Sequence, residues 1–250
     1  MQMKQTTWLV RATATVVLTI PLLMRPTTTL ADNGNGSPTL SFFSGGNGAH
    51  ADWFATDDQP PGDTDNQAIR LLTVDGAPTF QQGYTGILVH HVTGIPANVF
   101  PDSSFWVKTP TFAGPSLGSP RLIVEFQDAT GNFVGYGALR PLALSPTWQE
   151  VSDQGNYPAT GWDVMGGPCG FMYNVIWPVV QSCFTGTTTL AVFIVADAYG
   201  IYHLIDDITV NGKTFSSGAD NANGNNDPAG PTLTIDTSLL PPILPLAPPR

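Results

Sequence analysis

The sequence predicts an all-β fold, and three observations carry that prediction. Charged residues make up 11% of the chain, less than half the share of about 25% in an ordinary soluble domain. Glu occurs only at Glu125 and Glu150, and Lys only at Lys4, Lys108 and Lys213. That scarcity excludes coiled coils and long solvated helices, whose outer faces need both residues in quantity. Gly (26) and Pro (23) together are about a fifth of the 250 residues. They cut the chain into short runs rich in β-branched and aromatic residues, which is how strands between turns read.

Taken in order, strands are expected near Thr39–Phe43, Ala68–Thr73, Tyr84–Val92, Ser104–Lys108, Arg121–Gln127, Phe133–Leu139, Trp148–Val151, Thr189–Ala196 and Tyr202–Val210. The run FMYNVIWPVVQ, residues 171–181, fits either a helical turn or a further strand, because Pro178 bars a long regular helix. There is no internal repeat. About eight or nine strands joined by loops of roughly 8–20 residues predict a two-sheet antiparallel sandwich of the jelly-roll type. Hydrophobic residues, 42% of the chain, suffice to fill its core.

The sandwich is expected within residues 32–218, with different chemistry on either side. Lys4 and Arg11 precede an apolar run from Ala12 to Met24, and Thr29-Leu30-Ala31 supplies small residues for cleavage, so residues 1–31 read as an export signal. As a helix that run would rise only about 20 Å, short of a hydrocarbon core of about 30 Å, so no membrane insertion is expected of the mature form. Residues 219–250 read as a disordered tail, first Asn/Gly-rich and then Pro-rich, ending LLPPILPLAPPR. Proline removes a donor and fixes φ, which favours a polyproline-like or unfolded chain.

Removing residues 1–31 takes away Lys4, Arg11 and Arg25 and no acid, so the formal net charge of −10 becomes −13. Such a surface repels phosphate, and nucleic acid is excluded as a partner. Both cysteines, Cys169 and Cys183, lie in the exported part. An even count in an oxidising compartment predicts a disulfide between them. The expected location is secreted or extracellular.

The resemblance lies at both ends of the body. The run Ile201-Tyr202-His203-Leu204-Ile205-Asp206-Asp207-Ile208-Thr209-Val210-Asn211-Gly212 resembles the closing strand of jelly-roll carbohydrate-binding modules and galactose-binding-like domains. Leu40-Ser41-Phe42-Phe43-Ser44-Gly45, with Trp53, is similar to their first strand and turn, and Trp148-Gln149-Glu150-Val151 to their tryptophan-led inner strand. The resemblance implies a structural Ca²⁺ tying the first strand to the last, with Asp206 as the closing-strand ligand. Phe43 stands where the first strand of those modules commonly carries Glu. A hard ion of this kind takes six to eight oxygens.

The acid cluster Asp52, Asp57, Asp58, Asp63 and Asp65 lacks the spacing and terminal Glu of an EF-hand, and reads as a solvated loop or a second ion site. Gly114-Pro115-Ser116-Leu117-Gly118 matches the nucleophile-elbow pattern, but leads into a strand instead of a helix, so it reads as a turn. His90 and His91 are neighbours in a strand and point to opposite faces, so they cannot share a metal. Glu125 and Glu150 lie on separate strands, and nothing marks Glu125 beyond surface placement. Sugar recognition on sandwiches uses aromatic faces beside a few polar groups. In the expected loop QGNYPATGWD that reasoning selects Tyr157 and Trp162 with Asn156 and Asp163, and next Tyr173 and Trp177.

These observations predict a non-catalytic binding module, directed at a glycan or cell-surface polymer. The alternatives are a structural surface protein tethered by its Pro-rich tail, and a polysaccharide-active enzyme on the same fold.

Overall fold

The computed structural model describes residues 38–45, 48–73, 84–116, 119–152, 159–197 and 201–216. The segments expected to be an export signal and a tail, together with Tyr157 and Asn156, fall outside the described residues. In chain order the elements are β1 (Thr39–Gly45), β2 (His50–Ala55), β3 (Gln67–Leu72), β4 (Tyr84–His90), β5 (Ser104–Lys108), β6 (Gly114–Pro115), β7 (Arg121–Gln127) and β8 (Phe133–Pro141). There follow β9 (Ala143–Leu144), β10 (Gln149–Val151), β11 (Thr160–Gly166), β12 (Gly170–Val175), helix α1 (Trp177–Cys183), β13 (Thr188–Ala196), β14 (Tyr202–Val210) and β15 (Lys213–Phe215).

Two antiparallel sheets form the expected sandwich. One has seven strands in the order β1-β4-β13-β7-β8-β11-β12; the other runs β10-β5-β14-β3-β2, with β15 on β14. Strands β6 and β9 form a small third sheet. Strict alternation decides what lies between the layers. In RLIVEFQ, Leu122, Val124 and Phe126 join the main core, whereas Ile123 belongs to a second apolar cluster on the outer side of the seven-stranded sheet. In β13, Val192 and Ile194 point inward, and Phe193 and Val195 outward.

Every expected strand is present, and six more join them: the short β6, β9 and β15, and the longer β2, β11 and β12. The strand β2 contains Asp52, whose charge broke the apolar pattern; it is answered by Arg70 on the paired strand through two hydrogen bonds, 2.8 Å from Nε and 2.5 Å from Nη2. The hairpin β11–β12 is hidden by its turn, where Gly166, Gly167 and Gly170 all take positive φ, a conformation glycine adopts without a Cβ penalty. The ambiguous run 171–181 divides into the end of β12 and the helix α1. Pro178 sits in the first turn of that helix, where its missing N–H costs nothing. Phe105 is core, whereas Trp148 is not: half-buried, it donates from Nε1 to the Asp58 carbonyl at 3.1 Å.

The predicted disulfide is present between Cys169, in the β11–β12 turn, and Cys183, at the end of α1. The helix is further held by Trp177 Nε1 donating to the Phe100 carbonyl at 3.0 Å and by Gln181 Nε2 donating to the Ala97 and Phe100 carbonyls. No described helix is long and apolar enough to cross a membrane.

Candidate functional site

The outer face of the seven-stranded sheet is laid out by strand register, since directly paired residues point the same way. One row across it reads Ser41, Leu88, Phe193, Ile123, Ala138, Asp163. A second contains Phe43, Gly86, Val195 and Arg121. The third reads Ala191, Glu125, Tyr136, Met165, Phe171.

Its apolar floor is Phe43, Tyr84, Ile123, Ala138 and Val195, packed against half-buried Leu88, Phe193 and Tyr136. Phe43 meets Phe193 edge to face at 6.2 Å between ring centroids. At the β12 edge, Phe171 and Tyr173 are 44% and 51% exposed and lie edge to face at 4.3 Å. Their neighbour Met172 packs inward against the core.

Set into this floor are ionic groups. Arg121 donates to both oxygens of Asp197, at 3.1 and 2.6 Å. Arg140 Nε donates to Asp163 Oδ2 at 2.6 Å, and Asp163 Oδ1 accepts from the Asn174 N–H at 3.0 Å. Burial pushes Glu125 up to about 7, so near neutral pH this carboxyl both donates and accepts. Burial also raises the Tyr136 phenol; Arg121 opposes the rise, while Glu125, Asp163 and Asp197 add to it. The Tyr136 hydroxyl donates to Met165 Sδ at 3.1 Å, a weak acceptor. The face therefore offers carboxylates, two guanidinium groups and a phenol inside an apolar surround.

The residues selected from sequence divide. Asp163 lies on this face. Trp162 does not: residues 160–163 belong to β11 and not to an exposed loop, and the Trp162 ring is fully buried between the sheets. Consecutive strand residues point to opposite faces, so Trp162 and Asp163 cannot serve one surface. Trp177 is likewise core, and Tyr173 is exposed. The sequence reading missed Tyr136, Arg121 and Glu125. Glu125 did alternate with core residues in RLIVEFQ, but its desolvation depends on what surrounds the sheet face. Glu150, paired with Trp106 on β10–β5, sits on the opposite outer side of the sandwich, so the two glutamates do not meet.

A second group lies on that opposite side. Asp206 and Asp207 form a β-bulge in β14, where the register with β5 shifts and Asp207 takes φ +43°. Asp206 itself is still in register, opposite Trp106 and next to inward-facing Ile205, so alternation puts its carboxylate on this outer side. There it meets Asp63 and Asp65 of the β2–β3 connection, and ligand oxygens of the three lie within 4.8 Å of one another. Asp206 is 2% exposed. Burial pushes its carboxyl up to about 8 against the hydrogen bond from the Asp207 N–H, and the charges of Asp63, Asp65 and Asp207 add to the rise. Three carboxylates are the donor set a hard cation takes, so these residues fit the ion that the resemblance implied at Asp206. The first strand supplies no ligand, because Phe43 belongs to the other outer face.

No family model matches the chain, and no curated protein matches it. Among solved structures, it is similar to an arabinose-bound GH51 α-L-arabinofuranosidase, at 11% identity and a TM-score of 0.36 over 74% of this chain. It is also similar to the CBM22-1–GH10 modules of an endo-1,4-β-D-xylanase from Clostridium thermocellum complexed with xylohexaose, at 12% identity and a TM-score of 0.32 over 68% of this chain. The match spans about a quarter of each of those chains, 27% and 25%.

Proposed function

We propose that this chain is an exported, non-catalytic glycan-binding module that takes its ligand on the outer face of the seven-stranded sheet. One observation carries the reading: Tyr136 stands in the field of Arg121, Glu125, Asp163 and Asp197 on a face otherwise built from aromatic and aliphatic side chains. Sugars present apolar C–H faces beside rings of hydroxyls. Aromatic and aliphatic surface takes up the first, and a few fixed polar groups orient the second. Hydrogen bonds from sugar hydroxyls to the carboxylates, and from Arg121 to sugar oxygens, are charge-assisted and so stronger than neutral ones. Phe171 and Tyr173 extend the platform along the sheet edge. Tyr157 and Asn156 stay in the proposed ligand set beside Asp163, and Trp162 leaves it.

A non-catalytic role is supported by two features: Glu125 and Glu150 lie on opposite sides and cannot form the pair of carboxyls that glycoside hydrolysis uses across one bond, and the other carboxylates near Glu125, Asp163 and Asp197, are engaged by Arg140 and Arg121. Export is supported by the Cys169–Cys183 disulfide, which persists in oxidising compartments, and by the Lys4 and Arg11 leader.

The test is a glycan array probed with the secreted chain, followed by calorimetric titration of the best polysaccharide. Glu125→Gln, and Phe171→Ala combined with Tyr173→Ala, are expected to weaken binding at least about tenfold, the equivalent of about 1.4 kcal/mol. The polysaccharide is expected to leave the assay uncut. Failure to retain any glycan, binding indifferent to both variants, or release of reducing ends would overturn the reading.

A further inference from the structure

We propose that Asp63, Asp65 and Asp206 hold a hard divalent cation of the calcium class, which fastens the β2–β3 connection onto the closing strand. The inference is independent of the glycan reading, because the site lies on the other outer face of the sandwich.

Geometry comes first. Oxygens around a calcium ion at about 2.4 Å stand at most about 4.8 Å apart across the ion. The three carboxylates already meet that condition, with ligand oxygens within 4.8 Å of one another. They come from positions 63, 65 and 206, so the chain has brought two distant segments together to concentrate negative charge. Without a counter-charge such an arrangement repels itself.

Asp206 supplies the independent observation. Its side chain is buried, with the residue 2% exposed, and its Oδ2 is buried with no hydrogen-bond partner. A buried carboxylate oxygen left this way is strongly unfavourable unless a positive charge or a donor compensates it. Its other oxygen is committed, accepting the Asp207 N–H at 2.8 Å. Asp63 repeats the pattern: Oδ1 accepts the Asp65 N–H at 3.1 Å, and Oδ2 is buried and unpartnered. Backbone donors thus fix the direction of each carboxylate and leave one oxygen of each for a ligand. A positively charged ligand with oxygen affinity satisfies both at once.

The connection has an anchor at its other end. Asp58 accepts a hydrogen bond from Lys108 Nζ on β5 and another from Trp148 Nε1. An ion at Asp63 and Asp65 would pin the second half of the same connection, leaving residues 56–66 fastened across β5 and β14.

Chelator-stripped secreted protein should bind one Ca²⁺ per chain in calorimetric titration. Saturating Ca²⁺ should raise its melting temperature by about 5–10 °C, the shift expected for a ligand present at about 100 times its dissociation constant. Mg²⁺ should bind more weakly, since it demands shorter bonds and gives up water reluctantly. Asp63→Asn and Asp65→Asn, both in a surface connection, should fold and lose most of the response; Asp206→Asn should abolish it. Asp57→Asn, in the same connection but fully exposed, should keep it. No heat with Ca²⁺, Mg²⁺ or Mn²⁺ at millimolar concentration, or a response that survives Asp63→Asn and Asp65→Asn, would overturn the site.

Discussion

The indole of Trp162 lies 4.5 Å, centroid to centroid, from that of Trp177, and the pair joins β11 to the helix that follows β12. Phe126 extends the cluster, stacked on Phe184 at 4.3 Å, so the disulfide-closed segment is built around the core instead of projecting from it. Edge and offset aromatic contacts of this kind add about 0.5–1.5 kcal/mol beyond the area they bury.

The two tryptophans differ in one respect that can be measured. Trp177 Nε1 donates to the Phe100 carbonyl at 3.0 Å, whereas Trp162 Nε1 is buried without a partner. Replacing either by Phe removes similar volume, but only Trp177→Phe gives up a hydrogen bond, leaving the Phe100 carbonyl with the Gln181 donor alone. Denaturant unfolding should therefore show Trp177→Phe costing about 1 kcal/mol more than Trp162→Phe. Equal losses would mean that the hydrogen bond contributes nothing net.

Glu125 and His203 give the stability opposite dependences on pH. Glu125 is raised by burial from 4.5 to about 7 in the folded chain. The unfolded chain ionises first, so this group's contribution is fully present below about pH 4.5 and is lost as pH rises through about 7. Glu125→Gln should be neutral at pH 4.5 and stabilising by about 1–3 kcal/mol at pH 8, read from unfolding curves at both.

His203 is lowered by burial from 6.5 to about 3, with Nδ1 bonded to Thr109 Oγ1 at 3.0 Å. Here the unfolded chain takes up the proton first. Its contribution is present above about pH 6.5 and is lost as pH falls toward 3. Acid unfolding of His203→Gln should begin at lower pH than in the parent; an unchanged midpoint would show that other groups govern it.

The Cys169–Cys183 bond closes a loop with a sequence separation of 14, which on the chain-entropy model stabilises by about 3 kcal/mol. Replacing both cysteines by Ala should cost roughly that amount, and because no Lys or Arg separates the two cysteines, mass spectrometry of the unreduced tryptic fragment that carries both should find it lighter than its reduced form by the two thiol hydrogens. Two free thiols in that sample would contradict the pairing.

Gly86 lies in β4 beneath Phe43. A Cβ there would stand 2.1 Å from the Ile194 carbonyl oxygen and 2.3 Å from Phe43 Cζ. Backbone cannot yield as a side chain can, so Gly86→Ala should destabilise by about 1–3 kcal/mol or more. Gly137, inward-facing on β8, would meet side chains instead of backbone, Val180 Cγ1 at 2.8 Å and Trp162 Cε3 at 3.2 Å. Gly137→Ala should cost less.

Much of the fold was legible in the sequence because strand alternation and turn residues act locally. RLIVEFQ declares its two faces without help from any other segment, and Cys169 and Cys183 were the only thiols available to pair. Where local signals conflicted, the reading failed for a definite reason. Asp52 looked like a loop residue until Arg70 on the adjacent strand answered its charge, and the glycines of the β11–β12 turn looked like a break although positive φ there makes a tight hairpin.

The sequence by itself therefore determined the fold class and the disulfide. Tertiary structure decided which residues share a surface. Asp63 and Asp206 are separated by most of the chain, and no spacing rule joins them; only the pairing of β14 with β3 and the course of the β2–β3 connection do. Tyr136, Glu125 and Arg121 lie on β7 and β8, and their relation to Asp197 and Asp163 follows from the order β13-β7-β8-β11 in the sheet. Burial works the same way. Trp162 and Asp163 are adjacent in sequence, yet one is sealed in the core and the other faces outward, because the pleat sends successive side chains to opposite sides of a sheet whose two faces only the packed molecule defines.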